Sequence, residues 1–359
     1  MDQGTVRRED GEWLLSRIEA STGRWLGLEP GHREVILDIT RRMGLGMARY
    51  AARDMREGTG RRADYNAYCH WVAGLVGEGL SRMFGAQAEA GQGKVLAGSS
   101  GSGSQGTSGG GEDARLQGMV GLSNHMGLFL QKTNIIRDYL EDQRDGRAFW
   151  PRDVWAAFSP TGRLGYFDTE KGGATDRAIQ GASQQDIHEA AQARHVRAMR
   201  LLDAMVADAL QHAPHCIHYL RLLRDPHVGS FCAIPQVMAA YTLRAVAREQ
   251  RVFQGVVKMR KTKTLQLLES CSTPLSHRGP PTHGGLPDAT VLAARALVQA
   301  VREASVAMAA PLPECVPLPE AMKAAAAQEA ALAASEAAVG LQRGGLVAPG
   351  EVPAEEDAK

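Results

Sequence analysis

The chain has no run of about 18 apolar residues, so no membrane-crossing helix is expected. Aromatic residues are scarce, at 5%, and no aromatic-plus-basic platform of the kind that grips nucleic acid is present. An excess of one charge is also missing: the formal net charge of +1 gives no reason to expect a polyanion-binding surface. The five cysteines, Cys69, Cys216, Cys232, Cys271 and Cys315, are odd in number, scattered and without a CxxC pair. That argues against a disulfide framework or a zinc site and fits a reducing compartment. The first ten residues are mostly polar, so no secretory leader is expected there. β-Branched runs are rare and no internal repeat is visible. What is abundant is Ala, Leu, Met, Glu and Arg, the composition of an all-helical protein.

One stretch, SNHMGLFLQKTNIIRDYLEDQRDGRAFWPRDVW over 123–155, organises the rest. Its apolar residues Met126, Leu128, Phe129, Leu130, Ile135, Ile136 and Leu140 predict a long helix that Gly146 stops. Gln131, Asn134, Asp138 and Asp142 are spaced by three, four and four, which places them in one polar stripe. Asp138 and Asp142 therefore point the same way, one turn apart. Two aligned carboxylates repel unless a cation lies between them, and a hard divalent ion shared with phosphate oxygens suits them. Arg137, Arg144 and Arg147 supply forked donors for phosphate. The same pattern also fits a solvated face with internal Asp–Arg pairs, worth only tenths of a kcal/mol each.

Elsewhere helical period covers 11–18, 34–55, the stretch after Asp64, 187–210, 231–247 and 288–308. Asp64 is placed to cap its helix. Tyr68, Val72, Val76 and Gly79 share a face with Leu75 beside them, among glycines that leave room for a bulky apolar ligand or a close helix contact. Glu78 in that setting reads as facing solvent. Residues 85–118, including GSSGSGSQGTSGGG, read as a flexible insertion. Gly101, Gly103 and Gly106 spell GxGxxG, but no strand precedes them and no helix follows, so a dinucleotide loop is not expected. His212, His215 and His218 recur every three residues, yet Pro214 disturbs the helical spacing a metal site would need. Lys258, Arg260, Lys261 and Lys263 form a basic cluster, either a solvated charge run or a phosphate contact. Residues 1–310 thus read as one helical body, and 311–359 as an Ala/Pro/Glu-rich, mostly disordered tail.

These residues carry a resemblance. MGLFLQKTNIIRDYLEDQRDGRAFWPRDVW resembles the second aspartate-rich motif of the squalene synthase family. YCHWVAGLVGEGLSRMF over 68–84 resembles its tyrosine motif, and FCAIPQVMA and VFQGVVKMRK resemble its later signatures. The four occur in the family's order. The resemblance implies an all-α isoprenoid (terpenoid) synthase fold around a central cavity. It implies head-to-head joining of two farnesyl diphosphates through presqualene diphosphate, then NADPH-dependent reduction to squalene. It implies Mg2+ and NADPH as cofactors, attachment to the endoplasmic reticulum membrane, and a monomer.

Carried over by position, the resemblance makes Asp138 and Asp142 the metal and diphosphate ligands and Tyr68 the catalytic tyrosine of the first half-reaction. Arg137 and Arg147 contact phosphate or its metal cluster, supported by Asn134 and Gln131. Phe231 lines the pocket of the second half-reaction, where an aromatic face steadies a carbocation. Lys258 and Arg260 lie near NADPH phosphates, and Val72 and Val76 line the hydrocarbon cavity. Three departures stand out. The family's earlier DTxEDD-type motif is missing, as though the chain begins after it. Gln254 occupies a position that is basic in the family, and the C-terminal membrane helix is not found. A phytoene- or dehydrosqualene-type synthase without reduction, and an inactive prenyl-diphosphate-binding protein, remain the rival readings.

Overall fold

The computed structural model describes residues 23, 25–89, 109–168, 183–223, 225–259, 261–262, 264–266, 288–313, 323, 327 and 331. Among them ten α-helices occur and no extended strand. They are α1 (Pro30–Ala51), α2 (Arg62–Cys69), α3 (Leu75–Glu89), α4 (Gly109–Arg137), α5 (Tyr139–Arg144), α6 (Arg152–Trp155), α7 (Gln184–Leu210), α8 (Ala213–Leu222), α9 (Pro226–Val246) and α10 (Asp288–Ala309). A π turn over His70–Gly74 joins α2 to α3. Short 3₁₀ turns cover Leu164–Phe167 and Gln250–Phe253.

Helix α4 is the axis. Met126, Leu128, Phe129, Ile135 and Ile136 are buried on it, and so are Ser123, Lys132 and Thr133. A helix buried nearly all round needs neighbours on every side; here α2, the π turn, α3, α7, α8 and α9 all touch it. Sequence rules account for the starts of four helices. Pro30 sits in the first turn of α1. Ser183 and Asp186 form a reciprocal capping box on α7. Asp225 accepts the His227 and Val228 amides at 2.8 and 2.9 Å to open α9. Pro214 lies in the first turn of α8, so it begins a helix rather than interrupting one.

The glycines decide between the two readings left open for them: they allow close helix contact. A Cβ on Gly74 would overlap the Asn124 amide of α4, and one on Gly77 would overlap the Ser123 carbonyl. From the other side, a Cβ on Gly127 would overlap the backbone of Ala73 and Gly74. Gly46 on α1 makes room for the Trp71 indole, whereas Gly44 has open space beside it.

Several expectations are corrected. Glu78 does not face solvent: its carboxylate accepts both arms of Arg42 at 2.6 and 3.0 Å, and its side chain is only 14% exposed. Asp64 does not cap α2, whose N-cap is Arg61. It instead accepts the Tyr50 hydroxyl at 2.9 Å and the Arg53 guanidinium at 3.0 Å. The insertion expected over 85–118 is narrower, because α3 runs to Glu89 and α4 begins at Gly109. Residues 90–108, including GxGxxG, lie outside the described residues, as do 11–18, Arg260, Lys263, Cys271, Cys315 and most of the tail. Cys69, Cys216 and Cys232 are buried free thiols.

Candidate active site

The long helix expected through the acidic stripe breaks once, at Asp138, whose φ and ψ of −94° and 14° leave the helical region. The break preserves the stripe. The Asp138 amide still donates to Asn134 O at 2.8 Å and the Asp142 amide to Asp138 O at 3.0 Å, so the two carboxylates stay one turn apart. Helix α5 then ends in a Schellman cap: Gly146 takes a φ of +70°, its amide donates to Gln143 O, and the Arg147 amide donates to Asp142 O at 2.8 Å. This cap turns Arg147 back over its own helix, with its guanidinium 2.9 Å from Asp145 and 3.8 Å from Asp142.

Tyr68 approaches from the last turn of α2. Its ring stacks on Phe149 with centroids 4.6 Å apart, and the Tyr50 ring meets it edge-on at 5.0 Å. Phe149 is held there because residues 55–59 pair with 148–152. Ala148 N donates to Met55 O and Arg152 N to Thr59 O, both at 2.7 Å, and the Thr59 hydroxyl donates to Phe149 O. Gly58, at a φ of +81°, lets this loop lie against the Trp150 carbonyl. Composition and period gave no reason to single out Phe149 or Tyr50. The signal that could have found Phe149 was an aromatic pair, FW, directly after the acidic motif.

The electrostatics single out Asp142. Burial raises its pKa to about 6; Arg147 opposes the rise, and Asp138, Asp145 and Glu141 add to it. Asp138 has a closer cation, because Arg137 forks onto it with two contacts of 2.6 Å, and this bond raises the Arg137 pKa further. The Tyr68 phenol is pushed up to about 12, by burial first, then by Cys69 and Asp142, with Arg147 acting the other way. The charges of Asp142 and Arg147 thus both reach the Tyr68 phenol.

The remaining predicted residues are more dispersed. Gln131 and Val72 are half-buried, and Asn134 is exposed. Val76 is 45% exposed and Phe231 59% exposed. Lys258 is exposed, and Gln254 is exposed near it in sequence. A surface cavity of about 580 Å³ opens instead between α9 and α10, lined by Arg244, Arg302, Glu303 and Val306, none of them a predicted site residue. The histidines regroup: His125 of α4 meets His212 at 2.8 Å and stacks on His215 at 3.9 Å, while His218 is exposed. Among the described residues no three His, Cys, Asp or Glu side chains are set to hold a metal. Asp138 and Asp142 are thus suited to an ion whose other ligands are water and phosphate oxygens rather than to an all-protein cage. The half-buried, poorly neutralised carboxyl of Asp142 fits such an ion.

The model of the squalene/phytoene synthase family matches residues 25–164 and 174–263. The chain belongs to this family. It is 40% identical over 258 residues to squalene synthase LSS of Botryococcus braunii, covering 71% of this chain and 45% of that one. It is 38% identical over 275 residues to squalene synthase ERG9 of Candida albicans, covering 76% and 52%. It is 36% identical over 264 residues to squalene synthase of Mus musculus, covering 74% and 51%. The chain therefore spans about half the length of these curated relatives. A solved complex of TcSQS with the ligand BPH1237 superposes with a TM-score of 0.59 and 31% identity, covering 94% of this chain and 78% of that one. The all-α isoprenoid-synthase fold expected from the motifs is the one this family member has. No helix among the described residues is long and apolar enough to cross a membrane.

Proposed function

We propose that the protein is a squalene synthase: it joins two farnesyl diphosphates head to head through presqualene diphosphate and reduces that product to squalene with NADPH. The observation that carries this reading is the pairing of Asp138 and Asp142, one turn apart, beside the Tyr68–Phe149 stack, in a chain whose relatives are named squalene synthases. Mg2+, when bound, neutralises the diphosphate and stabilises it as it leaves. Asp138 and Asp142 would hold that ion and with it the diphosphate end of the substrate. Arg137 releases its fork on Asp138 to take phosphate oxygens, and Arg147 approaches from the cap. Asn134 and Gln131 extend the polar stripe under the same group.

Tyr68 keeps its proton at neutral pH, because its phenol titrates near 12. It acts as a hydrogen-bond donor at its hydroxyl beside the departing diphosphate. The π faces of Tyr68 and Phe149, and of Phe231 for the second half-reaction, steady allylic and cyclopropylcarbinyl cations. Val72 and Val76 contact the hydrocarbon, and Lys258 and Arg260 meet the NADPH phosphates. The working body is residues 1–310, acting as a monomer at the endoplasmic reticulum membrane, with 311–359 a tail.

Incubation with farnesyl diphosphate and Mg2+ tests the reading. Squalene is expected with NADPH, and presqualene diphosphate without it. Dehydrosqualene or phytoene-type product formed in the presence of NADPH moves the protein to the non-reducing branch. Failure to release diphosphate at all leaves a prenyl-diphosphate-binding protein without turnover.

A further inference from the structure

The turn that carries Tyr68 into the site is not an ordinary helical one. Between α2 and α3 the Leu75 amide donates to His70 O, five residues back, so His70–Gly74 is a π turn holding one residue more than an α-helix would. An inserted residue rotates everything before it by about 100° relative to a continuous α-helix. Tyr68 lies two residues before this turn, so its direction depends on the turn staying open. A π turn has poorer backbone geometry than the α-helix it interrupts, and something outside the helix must favour it.

Among the described residues the turn makes one side-chain hydrogen bond, from His70, whose Nδ1 lies 2.9 Å from Asn124 Oδ1 on α4. An amide oxygen accepts only, so Nδ1 carries the proton and donates. The backbone is shaped around this bond: a Cβ on Gly74 would overlap both Asn124 Oδ1 and His70 Nδ1, and one on Gly127 would overlap the Ala73 carbonyl. We infer that His70 and Asn124 are positioning residues: their hydrogen bond holds the π turn open against α4 and thereby keeps the Tyr68 ring on Phe149. That this geometry matters for turnover rests on the proposed role of Tyr68; the geometry itself does not.

The test uses the full chain labelled with ζ-13C tyrosine, the Tyr68 resonance being assigned by its loss in Tyr68→Phe. His70→Phe removes the donor and is expected to move the Tyr68 resonance away from its wild-type position. His70→Asn, which keeps an N–H donor close to the place of Nδ1, is expected to leave it there. A Tyr68 resonance unmoved in His70→Phe, or moved equally in His70→Asn, overturns the inference. If the phenylalanine variant does not fold, Asn124→Ala, which removes the acceptor without adding bulk, is read in the same way. In the turnover assay His70→Phe is expected to lower kcat about 10- to 100-fold with little change in KM, as a misplaced reacting group does, and His70→Asn to recover most of it. Full turnover by Tyr68→Phe would defeat the proposed role of Tyr68, while the resonance would still decide whether His70 positions it.

Discussion

Asp142 is where burial and charge pull against each other. Its carboxyl, ordinarily near 3.8, titrates at about 6 in the fold, chiefly because the group is buried. A folded-state pKa above the unfolded one means that the protonated form is favoured. The resulting stability is present below about pH 4 and is lost as the pH rises through about 6. At pH 8 the ionised group costs at most roughly 2–3 kcal/mol, less whatever solvent screening returns to a side chain that is 19% exposed. Asp142→Asn should therefore melt at a higher temperature than the native protein at pH 8 and at the same temperature at pH 4. Thermal melts at the two pH values check this, and identical curves at pH 8 would show that the carboxylate is not strained. An ion held by the pair relieves the same strain. Mg2+ should raise the melting temperature of the native protein at pH 8, do so less at pH 5 where a proton competes, and do nothing for Asp142→Asn.

At the level of elements, two glycines with different tasks give separable outcomes. Gly146→Ala places a Cβ at a φ of +70° and should cost about 1 kcal/mol. By weakening the cap that returns Arg147, it should also raise the Asp142 pKa further, since Arg147 is what now lowers it; a titration of Asp142 followed by NMR reads that shift. Gly74→Ala meets the Asn124 amide with no open space around it, and a loss of about 1–3 kcal/mol in chemical denaturation is expected. The same elements show what a sequence can and cannot reveal. The helical run through α4 and α5, its acidic stripe and its Gly146 stop follow from period and residue type. The break at Asp138 does not, because the hydrogen-bond spacing continues through it and neither Gly nor Pro marks it. The π turn hides equally well: it lengthens a helix by one residue without altering the composition. The close approach of α3 to α4 was half legible, since the glycines announced a space but not what fills it. The exposure of Phe231 and Val76 depends on the whole packing and has no local signal.

For the molecule as a whole, the packing around α4 is fastened by a contact that no local pattern announces. Lys132 is fully buried, and its Nζ donates to Asp208 of α7 at 2.6 Å across 76 residues of chain. Gln211 donates to the same carboxylate at 3.1 Å, Arg62 of α2 lies 3.5 Å away, and the ammonium sits 5.4 Å from the Tyr65 ring centre. Helices α2, α4 and α7 thus converge on one buried charge pair, and α2 and α4 carry predicted site residues. Such a pair need not be better than apolar packing, but removing one member takes from the other its nearest opposite charge at a site away from water. Lys132→Met should destabilise by about 3–5 kcal/mol, a large share of the 5–15 kcal/mol typical of a folded domain. The double variant Lys132→Met, Asp208→Leu should recover most of that loss, and urea denaturation of the two single variants and the double closes the cycle. If the double variant were no more stable than Lys132→Met, the pair itself would not be the fastening. If it regained stability but lost the Mg2+-dependent rise in melting temperature, the ion pair would be doing something packing alone cannot. It would be fixing the rotation of α4, and so the direction in which Asp138 and Asp142 point.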